Sequence, residues 1–85
     1  KSGLIGMSKY FSTYFNGLIR SNALCPGGVE NGQDKEFVNN FSNTVPLGRM
    51  LNAEELVSHV SYLTSEDSKF LTGQNILVDG GRSTW

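Results

Sequence analysis

Arg20-Ser21-Asn22-Ala23-Leu24-Cys25-Pro26-Gly27-Gly28-Val29 is the stretch that decides the fold. Ala23-Leu24-Cys25 is apolar without alternation, the pattern of a strand covered on both faces. Pro26 then removes a backbone donor, and Gly27-Gly28 free the chain to turn. These residues predict a buried strand over Arg20 to Cys25. Its counterpart is Asn75-Ile76-Leu77-Val78-Asp79, a second continuous apolar run that stops at Gly80-Gly81.

Between the two runs lies a helix signal. Asn52 followed by Glu55 is a capping-box pattern, in which the Asn accepts an early backbone N–H and the Glu reaches back to the cap. The helix is expected to start at Ala53 and end near Thr64, with Leu56, Val57, Val60 and Leu63 as its apolar stripe. From Gly27 to Asn43 the composition shifts to Gly, Asn, Gln, Asp and Ser, so a long loop is expected. Phe37, Val38 and Phe41 mark one or two helical turns inside it. Ahead of Arg20, Leu4, Met7, Phe11, Tyr14, Phe15 and Leu18 recur every three or four positions, the stripe of an amphipathic helix, and Asn16-Gly17 offers a left-handed stop. The order is helix, strand, helix, strand: a βαβ crossover preceded by the helix of another. A lone pair of parallel strands leaves apolar faces and open edges in water, so the pattern predicts part of a larger α/β fold or of an obligate complex.

Composition narrows the function classes. The 85 residues carry 38% hydrophobic residues, 10 glycines and a formal net charge of −1, an ordinary globular balance that argues against disorder. Seven Lys and Arg against eight Asp and Glu, with no basic block, provide no electrostatic footprint for nucleic acid or anionic lipid. One Cys and one His cannot assemble a four-ligand zinc site, and no metal is expected. No apolar run approaches a membrane span and no secretory signal pattern opens the chain, so a cytoplasmic protein is expected.

The motifs together resemble the short-chain dehydrogenase/reductase (SDR) family. They are Lys1-Ser2-Gly3 with the helix after it, Asn22-Ala23-Leu24-Cys25-Pro26-Gly27-Gly28-Val29, Pro46-Leu47-Gly48-Arg49-Met50, Thr72-Gly73-Gln74 and Val78-Asp79-Gly80-Gly81. They stand in the family's order and at its spacing over nearly the whole chain. The resemblance implies an α/β fold, the last two strands and their helices of a Rossmann-type doubly wound parallel sheet. Residues 1–85 would then be the C-terminal portion of a single dehydrogenase domain whose N-terminal half is absent here.

The resemblance also implies chemistry. Lys1 resembles the Lys of the family's Tyr-x-x-x-Lys pair, whose Tyr would precede this chain. A phenol of pKa about 10 must exchange a proton near neutral pH, and a nearby cation favours the phenolate. Lys1 would also bond the nicotinamide ribose. Pro26, Gly27, Gly28 and Val29 would form a cofactor loop for NAD or NADP, Val29 holding the nicotinamide carboxamide through its main chain. Two residues on, the family usually has a Thr that bonds the carboxamide, and this chain has Asn31. The implied activity is hydride transfer between NAD(P)(H) and a small-molecule carbonyl or secondary alcohol, with the loop from Glu30 to Val45 closing over the substrate. The spacing around Pro46-Leu47-Gly48-Arg49 is most similar to the 3-oxoacyl-carrier-protein reductases and the sugar or polyol dehydrogenases. A homodimer or homotetramer is expected, built on the helix from Ala53 and the strand from Asn75. The alternative is a non-catalytic SDR-like subunit or an assembly fragment; a Tyr four residues ahead of Lys1 would separate the two.

Other residues read more plainly. Asn40-Phe41-Ser42 matches a glycosylation acceptor but has no secretory context. His59 is read as a helix-surface residue, Cys25 as a small apolar filler, and Tyr10, Phe11, Tyr14 and Phe15 as packing or subunit interface. No Gly-x-Gly-x-x-Gly occurs, so the phosphate-binding turn is expected upstream.

Overall fold

The computed structural model describes residues 2–84; Lys1 and Trp85, and the roles expected of them, lie outside the described residues. The elements are helix α1 (Ser2–Tyr14), strand β1 (Ala23–Pro26), helix α2 (Lys35–Ser42), helix α3 (Glu55–Leu63), a 3₁₀ turn over Glu66–Ser68, strand β2 (Asn75–Val78) and a 3₁₀ turn over Arg82–Thr84. β1 and β2 are neighbours in a two-stranded sheet. The amide of Ala23 donates to Gln74 C=O and that of Gly27 to Val78 C=O, both at 2.8 Å, so the bonds step forward together and the strands run parallel, as expected. The chain divides into two compact units, residues 2–24 with Ser58–Ile76, and Cys25–Val57 with residues 77–84.

In the first unit α1 ends where the sequence signals it. Asn16 and Gly17 take positive φ values of 50° and 87°. Strand β1 begins three residues later than the expected Arg20, because Arg20 to Asn22 are engaged in other ways. The Arg20 guanidinium donates to the carbonyls of Leu63, Ser65 and Leu71 at 3.1, 3.3 and 3.3 Å, placing a cation at the negative end of α3. Ser21 N–H bonds the Thr72 hydroxyl at 3.0 Å, a side-chain substitute for a ladder rung. Asn22 spans the same gap, donating to Leu71 C=O at 2.9 Å and accepting from Gln74 N–H at 3.0 Å. Ser68, 2% exposed, donates to Tyr62 C=O at 2.7 Å and so ties the turn after α3 to the helix. Tyr10, Phe11, Tyr14 and Phe15 pack on one another along α1, with ring centroids 5.1–5.8 Å apart.

In the second unit the buried apolar residues among those described are Val45 and Met50, at 6% and 4% exposure. Asp34 caps α2, its carboxylate accepting from Phe37 N–H at 2.8 Å. The helix the sequence placed at Phe37, Val38 and Phe41 is therefore real. Phe37 and Phe41 stack at 6.1 Å, and the Arg82 guanidinium lies 4.9 Å over the Phe41 ring.

Four expectations need correction. Helix α3 starts at Glu55 and not Ala53, because Glu55, Leu56 and Val57 N–H bond the carbonyls of Asn52, Ala53 and Glu54 in a tighter i to i+3 turn. β1 is only half-buried at Ala23, Leu24 and Cys25, since among the described residues a single strand lies beside it. The α3 stripe is likewise incompletely covered: Leu56 and Leu63 are half-buried, while Val57 and Val60 remain 67% and 49% exposed. His59, read as a surface residue, is half-buried and lines a cavity of about 150 Å³ with Tyr62, Leu63 and Ile76.

Candidate functional site

The loop leaving β1 holds the residues singled out from the sequence. Pro26 ends the strand, and Gly27 N–H makes its last rung. A Cβ on Gly27 would lie 2.9 Å from the Cα of Asp79, and one on Gly28 would lie 2.3 Å from the Phe41 ring. Both positions therefore exclude a side chain: the first lets the two strand exits approach, the second lets α2 sit against the loop. Val29 then pairs with Leu51 in an isolated parallel bridge. Leu51 N–H donates to Gly28 C=O at 2.9 Å and Glu30 N–H to Leu51 C=O at 2.8 Å. In a parallel bridge the flanking residues make these bonds, so Val29 directs its own peptide groups to the other side.

On that other side the structure shows a contact that no motif of the chain signals. The Gln33 carboxamide donates from Nε2 to Val29 C=O at 3.1 Å and accepts at Oε1 from Asn31 N–H at 2.7 Å. A main-chain acceptor and a main-chain donor thus converge on one primary amide. One donor and one acceptor of this kind match any primary carboxamide, the group that Gln33 and a nicotinamide ring both carry. Asn31 enters through its backbone, while its side chain lies on an exposed residue. Lys1, expected from the sequence at this site, lies outside the described residues.

Two polar clusters hold the surroundings. Arg49 donates to Glu55 Oε1 and Oε2 at 2.6 and 2.8 Å and to Met50 C=O at 3.1 Å, while Glu55 Oε1 also takes Asn52 N–H at 3.0 Å. The Glu55 hydrogen bond, and then its charge, raise the Arg49 pKa above its ordinary value. This is the Glu half of the expected capping box, with Arg49 added, and it fixes both sides of Leu51. Beyond β2, the Asp79 carboxylate accepts from Gly81 N–H at 3.0 Å and Ser83 N–H at 3.2 Å. A hydrogen bond from the Ser83 side chain, followed by the Gly81 amide, holds its pKa below the ordinary carboxylate value. An open cleft of about 600 Å³ lies at the carboxyl ends of the strands, lined by Cys25, Pro26, Gly27, Thr44, Asp79 and Arg82. Ligands of open α/β sheets bind outside these strand ends.

Comparison with known proteins bears on the family. A family profile described as enoyl-(acyl carrier protein) reductase matches residues 1–83. The chain is 35% identical over 95 aligned positions to 2-keto-3-deoxy-L-fuconate dehydrogenase of Xanthomonas campestris, covering 98% of this chain and 32% of that protein. It is 37% identical over 86 positions to 3-oxoacyl-[acyl-carrier-protein] reductase of Chlamydia trachomatis, covering 95% of this chain and 35% of that one. A short-chain dehydrogenase of Leptospira borgpetersenii, solved with bound NAD+, superposes with a TM-score of 0.90 at 42% identity, over 96% of this chain and 33% of its own. The chain thus spans about a third of the length of the relatives it matches. Motif order, a parallel strand pair with its loop, and these likenesses converge, and the chain belongs to the short-chain dehydrogenase/reductase family.

Proposed function

We propose that residues 1–85 form the C-terminal portion of a single Rossmann-type domain, and that the complete protein moves a hydride between NAD(H) or NADP(H) and a small carbonyl or secondary-alcohol substrate. The observation that carries this reading is the pair of main-chain groups, Val29 C=O and Asn31 N–H, presented to a primary amide just past the carboxyl end of β1. The nicotinamide, when bound, supplies or takes up the hydride. The chain's own residues bind and orient. Gly27 and Gly28 keep the loop free of side chains, the Leu51 bridge fixes the direction of Val29, and the residues from Glu30 to Val45, which carry α2, close over the substrate. Lys1 holds the ribose hydroxyls and lowers the pKa of a Tyr one helical turn upstream, which passes a proton to or from the substrate oxygen. In reduction the carbonyl carbon gains the hydride and its oxygen the proton; oxidation reverses both.

The substrate class is a 3-oxoacyl thioester or a sugar or polyol, supported by the names of the similar reductase and sugar-acid dehydrogenase. The protein acts as a homodimer or homotetramer, supported by the apolar residues left exposed on α3 and β2. No described helix is long and apolar enough to cross a membrane, and a cytoplasmic location is the reading favoured by the low cysteine content. The test is nicotinamide absorbance on the complete protein with 3-oxoacyl thioesters and with sugars and polyols, in NADH and NADPH. Turnover with one class, lowered about a hundredfold or more by Lys1→Met, is expected. No hydride transfer to either class with either cofactor would refute the reading.

A further inference from the structure

Gln33 reaches its contacts because Gly32, at a positive φ of 75°, turns the chain back toward Val29. Its single –CONH₂ group then meets Val29 C=O through the nitrogen and Asn31 N–H through the oxygen. Nicotinamide carries the same group with the same donor and acceptor. The Val29 peptide is held in direction by the bridge to Leu51, so two primary amides cannot share its carbonyl along one line of approach. We propose that Gln33 is an internal stand-in for the nicotinamide carboxamide, occupying the Val29 and Asn31 main-chain pair in the ligand-free protein and leaving it when the dinucleotide binds. The inference rests on the dehydrogenase reading and adds a competitor built into the cofactor loop.

The contact has the energetics of a displaceable plug. Ordering a long Gln side chain costs rotamer entropy that offsets most of two neutral hydrogen bonds, one of them at an exposed amide. It therefore satisfies the main-chain groups without locking them. A site closed for part of the time lowers apparent affinity by the fraction that is open. Removing the Gln33 amide raises that fraction, and only for ligands that reach the pair.

Calorimetry on the complete protein, with NAD+ or NADP+ and with the matching ADP-ribose that lacks the nicotinamide, separates these effects. Gln33→Ala is expected to tighten dinucleotide binding by roughly three- to tenfold, about the worth of one such hydrogen bond, and to leave ADP-ribose affinity unchanged. Gln33→Asn, one methylene too short to span both partners, is expected to behave like Ala. In the wild type, the Gln33 side-chain NH₂ resonances are expected to shift on dinucleotide binding and not on ADP-ribose binding. Unchanged or weaker dinucleotide binding in both variants, with ADP-ribose unaffected, would overturn the stand-in and leave the dehydrogenase reading standing. Wild-type protein that binds neither ligand overturns both. Should the variants disturb the loop, seen as altered ADP-ribose affinity, the wild-type resonance shifts decide the matter alone.

Discussion

Arg49 and Glu55 form a two-pronged ion pair, 2.6 and 2.8 Å across, that closes the ends of the segment carrying Leu51. Both side chains are partly exposed, 54% and 37%, so the pair contributes little to global stability. Its consequence is positional. Met50 C=O and Asn52 N–H, the peptide groups on either side of Leu51, are drawn into the same cluster, and Leu51 sets the direction of Val29.

Arg49→Lys keeps the charge but loses the fork. The expected outcome is a nearly unchanged thermal midpoint with faster hydrogen exchange at the Leu51 and Glu30 amides, the two donors of the bridge to the cofactor loop. Exchange as slow as in the wild type at both amides would show that the bridge stands without the clamp.

Gly28→Ala places a Cβ 2.3 Å from the Phe41 ring. Phe41 cannot withdraw freely, since Phe37 stacks on one side of it and Arg82 lies 4.9 Å over its ring. Overpacking of this kind costs about 1–3 kcal/mol, and adding Phe41→Leu should recover part of it. Denaturant unfolding of the single and double variants measures both terms. A Gly28→Ala protein within about 0.5 kcal/mol of the wild type would mean that the loop yields instead of the ring.

Much of this geometry was legible in the sequence, and the part that was not has a common cause. β2 is legible to within one residue because Ile76-Leu77-Val78 is bounded by Gly80-Gly81, and the end of α1 because Asn16-Gly17 is a left-handed stop. These are local signals. The start of β1 was misplaced because Ser21 and Asn22 pair through side chains with residues about fifty positions away, which no local pattern records. The Pro26 to Val29 loop was recognised by its motif, whereas Gln33 was passed over as one more polar loop residue. Its role depends on the turn at the adjacent Gly32, a local signal that says nothing of a partner, and on where Leu51, eighteen residues on, holds Val29, which no pattern near position 33 encodes.

Asp79 gives a pH signature. Its folded pKa lies below the ordinary value of 3.8, chiefly through Ser83, and the Gly81 and Ser83 amides are charge-assisted donors to the ionised form. A depressed carboxyl pKa stabilises the fold at pH above the unfolded value, and that contribution is lost as pH falls through the folded one. The window is therefore the acid limb below 3.8. Carboxyl NMR should place the Asp79 midpoint under 3.8, and the loss of stability on acidification should be shallower in Asp79→Asn. A midpoint at or above 3.8 would show that the cap at Arg82–Thr84 does not engage the carboxylate in solution.

The exposed apolar residues of α3 and β2 argue for a partner surface. Val57 is 67% exposed, Val60 49% and Leu77 56%, on elements otherwise made of good core formers. Among the described residues β2 has one strand neighbour, β1, so its far side is a sheet edge beside apolar side chains, the combination that promotes association unless covered. A twofold-related copy covers both edges with one contact, because each protomer presents the same element to the other. Charge at the centre of such a contact is buried without a partner and is strongly unfavourable, whereas charge on a solvated helix face is nearly neutral. Val60→Glu and Leu77→Glu should therefore shift the complete protein from dimer or tetramer toward monomer in sedimentation at micromolar concentration, while a polar-to-charged change such as Ser61→Glu should do so less. If the wild type sediments as a monomer, or if all three variants associate as it does, these residues are covered by the rest of the same chain and not by a second copy.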